Sequence, residues 1–178
     1  MTNTTFADTN EKIGYERLKD FNSFLNLKNL NRMSTGHWTD ASGTTQNGKI
    51  ANIELKNRNQ KLIKQGDKYL ISGASKNGQT YIEPSIIIES HKAGDLLFDF
   101  LILGYTPLYI NFLEDNIVVV YNLSRLNKRP TKKYSRNYSG LRNSFEIADR
   151  EELDLTDSYI YRKTENNTYK CIYKPDVQ

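Results

Sequence analysis

Residues 36–57, GHWTDASGTTQNGKIANIELKN, are the stretch on which the reading of the chain turns. From Ile50 to Lys56 the residues alternate as in a strand. Ala51, Ile53 and Leu55 take one face and Asn52, Glu54 and Lys56 the other, because successive side chains of a strand point to opposite sides. The apolar face suits a core. The other sets a carboxylate and an ammonium two positions apart. Upstream, Asp40 is separated from the strand by the turn signal Asn47-Gly48, so the chain folds back and brings Asp40 towards Glu54. Two converging carboxylates make a hard oxygen site of the kind Mg²⁺ takes, completed by waters and substrate phosphate. A lysine beside them positions a water or neutralises phosphate charge.

The hairpin register decides whether the two carboxylates meet. Directly opposite residues of an antiparallel pair share a face. A two-residue Asn47-Gly48 turn sets Asp40 opposite Leu55, turned into the core. A three-residue loop, Gln46-Asn47-Gly48 with Gly48 left-handed, sets Thr45 opposite Lys49 and Asp40 opposite Glu54. A bulge at Gly43 on top of the two-residue turn achieves the same shift. One of these two irregularities is predicted, with the carboxylates close enough to share one cation.

The whole chain bounds the problem. Its 178 residues suit one domain with a sizeable core. Residues 1–10 read as a disordered tail and 11–178 as a single domain, with a core over 11–122 and an extension over 123–178. Hydrophobic residues at 37% and charged residues at 26% fit a soluble globular chain. A net charge of +4 and a pI near 9.0 permit a polyanionic partner without demanding one. The lone Cys171 excludes an internal disulfide framework and favours a reducing compartment such as the cytoplasm. No signal peptide is read at the start, and residues 96–113 are broken by Asp99 and Gly104-Tyr105-Thr106-Pro107 into helix, turn and strand rather than a membrane span. His37 and His91 match no zinc spacing. The abundance of Asn, Lys and Ile fits an AT-rich genome, of a bacterium or its phage.

In order, residues 11–27 read as a helix with Ile13, Leu18, Phe21, Phe24 and Leu25 on one face and Glu16 near its edge. Trp38 reads as a packing aromatic and His37 as a surface residue. A polar link with Arg58, Lys61 and Lys64 leads to a short strand over 69–71 and an extended piece over 80–83. Pro84-Ser85 opens a second helix running to about Leu103, apolar round most of its circumference and therefore buried. Its polar stripe is Glu89, Lys92, Asp95 and Asp99, in which Glu89 and Lys92 can form an ordinary helical ion pair. Residues 107–113 and 117–121 are strands joined at Glu114-Asp115-Asn116, the second buried on both faces. The predicted core holds Leu18, Phe21, Ile53, Leu55, Leu97, Phe100, Leu101, Ile110 and Val119. Residues 125–142 carry Lys128, Arg129, Lys132, Lys133 and Arg136 among Tyr134 and Tyr138. Such a segment neutralises phosphates and stacks on unpaired bases, or is a solvated loop. The acidic run 146–157 caps a helix or covers an edge. Residues 159–174 read as a terminal hairpin around Glu165-Asn166-Asn167.

Asp40, with Thr39 where proline is usual, and Glu54-Leu55-Lys56 resemble the motif of the PD-(D/E)xK phosphodiesterases: restriction endonucleases, RecB-type nucleases and Holliday junction resolvases. Gly14-Tyr15-Glu16-Arg17-Leu18 resembles the first helix of the resolvases. The order helix, hairpin, strand, helix, strand, strand matches the superfamily's αβββαβ core with one added strand, over roughly 11–122. The resemblance implies an α/β fold with a central mixed sheet flanked by helices. It implies a Mg²⁺- or Mn²⁺-dependent endonuclease that hydrolyses DNA phosphodiesters, including branched DNA as in the resolvases. Asp40, Glu54 and the Leu55 carbonyl would hold the metal, and Lys56 would orient the attacking water. Glu16 would complete the coordination or bind a second ion, the alternative for Glu16 being a surface carboxylate paired with Lys12 or Lys19. Lys92, in the first turns of the helix after the strand, would meet a phosphate. A homodimer is common among duplex-cutting relatives. The competing expectation is a catalytically inactive nucleic-acid-binding or interaction module of the same fold. A third is an unrelated α+β interaction protein with a chance motif, in which Asp40 and Glu54 lie far apart.

Overall fold

The computed structural model describes residues 4–34, 37–74, 78–138 and 145–176, with side chains described for all of these except 4–8, 133–138 and 145–148. Seven strands form one mixed sheet in the order β1 (Lys28–Arg32), β2 (Ala41–Thr44), β3 (Ile50–Asn57), β8 (Thr106–Phe112), β9 (Ile117–Asn122), β12 (Tyr159–Lys163) and β13 (Tyr169–Tyr173). Every neighbouring pair is antiparallel except β3 and β8, which run parallel. Parallel neighbours need a crossover. Here it contains β4 (Lys61–Gln65), β5 (Lys68–Ala74) and β6 (Thr80–Glu83), which form a small sheet, then β7 (Ser85–Glu89) and the helix α2 (Ser90–Leu103). β7 joins a third sheet with β10 (Thr131–Tyr138) and β11 (Phe145–Asp154). The architecture is mixed α/β, dominated by sheet, with helices packed on the large mixed sheet. No helix among the described residues is long and apolar enough to cross a membrane.

Two apolar clusters sit on the two faces of the main sheet. On one face the helix α1 (Thr4–Leu25) lays Leu18 and Phe21 against Ile53, Leu55, Ile110 and Val120. On the other, Ala93 and Leu96 of α2 and Ile86 and Ile88 of β7 pack with Tyr109, Val119, Tyr121 and Leu153. The central strand β3 is therefore covered on both sides, from Ala51 to Leu55, and β9 likewise from Ile117 to Tyr121. The hairpin of β12 and β13 forms as expected, and its first strand extends the main sheet beside β9. Between β8 and β9 the turn takes Asp115 and Asn116 at φ 57° and 59°, the left-handed pair of a tight hairpin.

Several expectations need correction. α1 begins at Thr4, so most of the stretch expected to be a tail is helical. It ends at Leu25, not 27, because Asn26 turns left-handed (φ 55°) and the Asn22 amide bonds both the N–H and the carbonyl of Leu27. β1 was not foreseen: KNLNR is a polar edge strand without apolar alternation. Residues 85–89 are strand rather than helix, since the β-branched run Ile86-Ile87-Ile88 suits a pleated surface and finds β11 as partner. The helix therefore starts at Ser90, and its far end is not buried: Leu101 is 75% exposed, with Phe98, Ile102 and Leu103 also outside. Leu97 and Phe100 are half-buried. Asp99, expected on an open polar stripe, is buried against Asn52. The acidic run becomes β11 and pairs along β10, with Lys132 opposite Glu151 and Thr131 opposite Glu152.

Candidate metal centre

The site is built on the β2–β3 hairpin. Its register is Ala41↔Ile53, Ser42↔Asn52, Gly43↔Ala51 and Thr44↔Ile50. Continued by one residue at the loop end, it sets Thr45 opposite Lys49, while Asp40 lies just outside the paired residues at the other end. The Thr45 N–H donates to the Lys49 carbonyl at 2.8 Å, the Gly48 N–H returns to the Thr45 carbonyl at 3.0 Å, and Gly48 is left-handed at φ 80°. This is the three-residue loop. Gly43 pairs regularly instead of bulging, and its lack of a side chain serves packing: a Cβ there would lie 3.2 Å from that of Leu27.

Asp40 sits where β2 begins. Its N–H donates to the Ile53 carbonyl at 3.0 Å, and its Oδ2 accepts the Leu55 N–H at 2.7 Å. The carboxylate is thus aimed along β3 by the backbone it will serve. Glu54 is 1% exposed. The Lys56 ammonium stands 3.2 Å from its Oε1 and the Lys92 ammonium 3.2 Å from its Oε2. Lys92 reaches in from the first turn of α2 and also donates to the Trp38 carbonyl at 2.9 Å. Lys56 is 3.4 Å from Oε2 of Glu89, the last residue of β7. Glu54 Oε2 and Glu89 Oε2 are both buried and make no hydrogen bond, so their contacts with the ammoniums are ionic only.

Burial, then the neighbouring Asp40 charge, pushes the Glu54 carboxyl up to about 7 against the pull of Lys56 and Lys92. Glu89 goes the other way: burial opposes its charge, but the Lys56 ammonium outweighs it and lowers its pKa. Burial also works against the Lys56 ammonium, yet Glu54 and Glu89 hold it above the ordinary lysine value. Two buried carboxyls on one lysine thus part company, and Glu54 is the one beside a second acid.

An open cleft of about 570 Å³ is lined by Glu11, Asp40, Glu54, Leu55, Lys56 and Lys92, among others. The structure therefore brings together Asp40, Glu54, Leu55, Lys56 and Lys92 as the sequence suggested. Glu16 is not with them. It pairs with Lys19 at 2.7 Å on the exposed side of α1. Glu11 takes its place in the cleft, 3.5 Å from Arg32. Glu16 lies five residues on, roughly 140° round the helix at 100° per residue, whereas Glu11 lies two turns before the buried Leu18. That spacing was the available signal. His37 and Trp38 stack on one another at 5.0 Å, with the His37 Nδ1 turned to Thr39.

The basic segment runs into β10, which pairs with β11, the sheet neighbour of β7. The Lys128 ammonium is held by Asp154 at 2.6 Å, while Arg129 and Lys132 are exposed. The side chains of Lys133 and Arg136 lie outside the described residues.

Among the described residues no three Asp, Glu, His or Cys side chains are grouped to hold a metal. A cation here would rest on two carboxylates, a backbone carbonyl, waters and phosphate. That donor set is all hard oxygen and fits Mg²⁺ or Mn²⁺, which take few protein ligands. The buried Glu54 Oε2 that no hydrogen bond satisfies fits the same reading. Comparisons of the chain with protein-family models, with curated proteins and with solved structures return no match.

Proposed function

We propose that the protein is a Mg²⁺- or Mn²⁺-dependent deoxyribonuclease of the PD-(D/E)xK kind. The observation that carries the reading is the cleft itself, on which Asp40, held to β3 by the Leu55 N–H, lies together with Glu54 and Lys56. With β4 to β7 set aside as an insertion, the succession α1, β1, β2, β3, α2, β8, with β8 parallel to β3, is consistent with an αβββαβ arrangement. Asp40, Glu54 and the Leu55 carbonyl are the donors for the cation. Bound there, it would supply charge to the phosphate and lower the pKa of a water. Lys56 is kept charged by Glu54 and Glu89, faces the cleft, and serves to orient water and offset charge developing on phosphorus-bound oxygens. Lys92 adds a second positive charge on the other side of Glu54. Because the Glu54 carboxyl titrates near 7, its proton must leave before it can serve as a ligand, so activity should rise with pH through neutrality.

The test is incubation of the full chain with linear, branched and single-stranded DNAs and Mg²⁺ or Mn²⁺, with Asp40→Ala as control. Cutting by the wild type alone is the expected result. One observation favours a second reading, a binding module without turnover. Each Glu54 oxygen already faces an ammonium, so the cluster is electrostatically complete by itself. DNA binding with no cutting under any metal would decide for that reading.

A further inference from the structure

A pocket of about 490 Å³ adjoins the carboxylate cleft and shares Lys56 with it. Arg58 and Gln60 from the link after β3, Tyr81 and Glu83 from β6, Glu89 from β7 and Arg150 from β11 are on its walls. The small β4–β6 sheet, inserted between β3 and α2, thus closes one side of it. The reaction proposed above makes no use of this pocket.

Arg58 is fixed there by neutral groups. Its Nε donates to Asn111 Oδ1 at 2.6 Å, and Nη2 donates to the Tyr109 hydroxyl at 2.6 Å and to the Ile87 carbonyl. Tyr109 and Asn111 are both fully buried, so the fork is held by the core of the protein. Among the described residues no carboxylate pairs with it. A guanidinium carries five N–H donors, of which these contacts use three, leaving Nη1. A rigid cation whose own hydrogen bonds go to neutral groups, beside the Lys56 ammonium, is suited to a phosphate.

Gln60 supplies the opposite need. Its Nε2 donates to the Tyr81 hydroxyl at 2.6 Å, while its Oε1 is buried with no hydrogen-bond partner. Tyr81 is itself pinned. Its cross-strand partner is Gly73, and its ring lies where a Cβ of that residue would stand. The Gln60 amide is therefore oriented from behind, with an acceptor left open. Buried acceptors without donors are uncommon and costly. A free phosphate has no N–H to offer one. A nucleotide has both parts, an anionic phosphate for Arg58 and an amino or imino N–H on its base for Gln60. The volume also falls in the range of small-ligand pockets, roughly 300–1,000 Å³.

We propose that this pocket is a subsite for one unpaired nucleotide, its phosphate at Arg58 and its base at Gln60, next to the phosphate that is cut at Lys56. The placement of the cut rests on the nuclease reading; the subsite adds the substrate class. A base still paired inside a duplex cannot enter a pocket, so the favoured DNA has a nucleotide out of the stack beside the scissile bond.

Three labelled DNAs of one sequence test this: a full duplex, the duplex with one bulged nucleotide, and the bulge made abasic. Binding is read by anisotropy in EDTA and cutting in Mg²⁺. The wild type should bind and cut the bulged DNA about tenfold better than the duplex, as expected for one satisfied buried contact. The abasic DNA should fall to the duplex level. Gln60→Ala should abolish the preference for the bulged DNA over the duplex. Since Arg58 also braces Tyr109 and Asn111 and its replacement endangers the fold, Tyr81→Phe, checked by circular dichroism, serves as the second variant and should weaken the preference. Equal binding of the three DNAs by the wild type, or a preference intact in Gln60→Ala, overturns the proposal. A bulge preference in EDTA without cutting in Mg²⁺ keeps the subsite and removes the nuclease reading. Cutting without preference does the reverse.

Discussion

The cluster under α2 and the ribbon of β10 and β11 are both made of lysines facing acids, yet burial makes them different devices. In the cluster, Glu54 is 1% exposed and shares two lysines with Glu89 and Asp40 as neighbours. Burial and the neighbouring Asp40 charge push its carboxyl up to about 7. In the ribbon, Lys132 stands exposed opposite Glu151, and the Lys128–Asp154 pair is open to water. Solvent screens such pairs, and they contribute little. The sheet and α2 exclude water from Glu54, whereas the charges of the ribbon stay solvated.

Substitutions sharpen that contrast. The largest expected effect is on turnover: Asp40→Ala should lower metal-dependent cleavage by about a hundredfold or more, the scale of losing one preorganised electrostatic group, while Lys132→Ala should change the rate by no more than its effect on DNA binding. For binding, Lys132→Ala should weaken all sequences alike and reduce the salt slope by about one. An unchanged slope would mean that this lysine answers only to Glu151.

Next comes stability. Lys56→Ala takes one of its two ammoniums from the buried Glu54 and its ion-pair partner from the partly exposed Glu89, and should cost about 2 kcal/mol, read by urea unfolding. Lys128→Ala should cost next to nothing. Comparable losses at the two lysines would erase the distinction between cluster and ribbon.

A smaller effect is that of pH on the metal-free protein. The Glu54 pKa is raised on folding, so its contribution to stability is full below about 4.5 and is lost as pH rises towards 7. Glu89 has a lowered pKa and contributes above its ordinary range, losing this as pH falls. Thermal unfolding in EDTA should therefore show a decline from pH 4.5 to 7 that Glu54→Gln flattens. Smaller again, Gly48→Ala should cost about 1 kcal/mol for the left-handed loop residue. Leu101→Glu, on the exposed end of α2, should stay within about 0.5 kcal/mol.

What was legible in the sequence was local. The hairpin could be read because Asn47-Gly48 and the alternation of β3 lie within a dozen residues, and turn geometry limited the register to a few choices. The identity of β7 was hidden, since its partner β11 lies some sixty positions away and Pro84-Ser85 mimics a helix start. Likewise the acids of β11 have no visible purpose until they are seen opposite β10. Leu101 reads as core from apolar content alone, which does not tell which side of α2 faces the sheet. Glu16 was carried over from the family resemblance, but the azimuth of α1 favours Glu11. The pocket at Arg58 was illegible for a different reason: its residues come from β6, β7, β11 and the link after β3, which only the fold assembles.

The central claim is that the charged face of β3 holds a divalent cation. Titration of the protein with Mn²⁺, followed by electron paramagnetic resonance above pH 7, measures this without any substrate. Bound Mn²⁺ should be detected in the wild type and lost in both Asp40→Asn and Glu54→Gln, with binding weakening as pH falls through 7. An Asp40→Asn variant that binds Mn²⁺ as the wild type does, or a wild type that binds none, would contradict it.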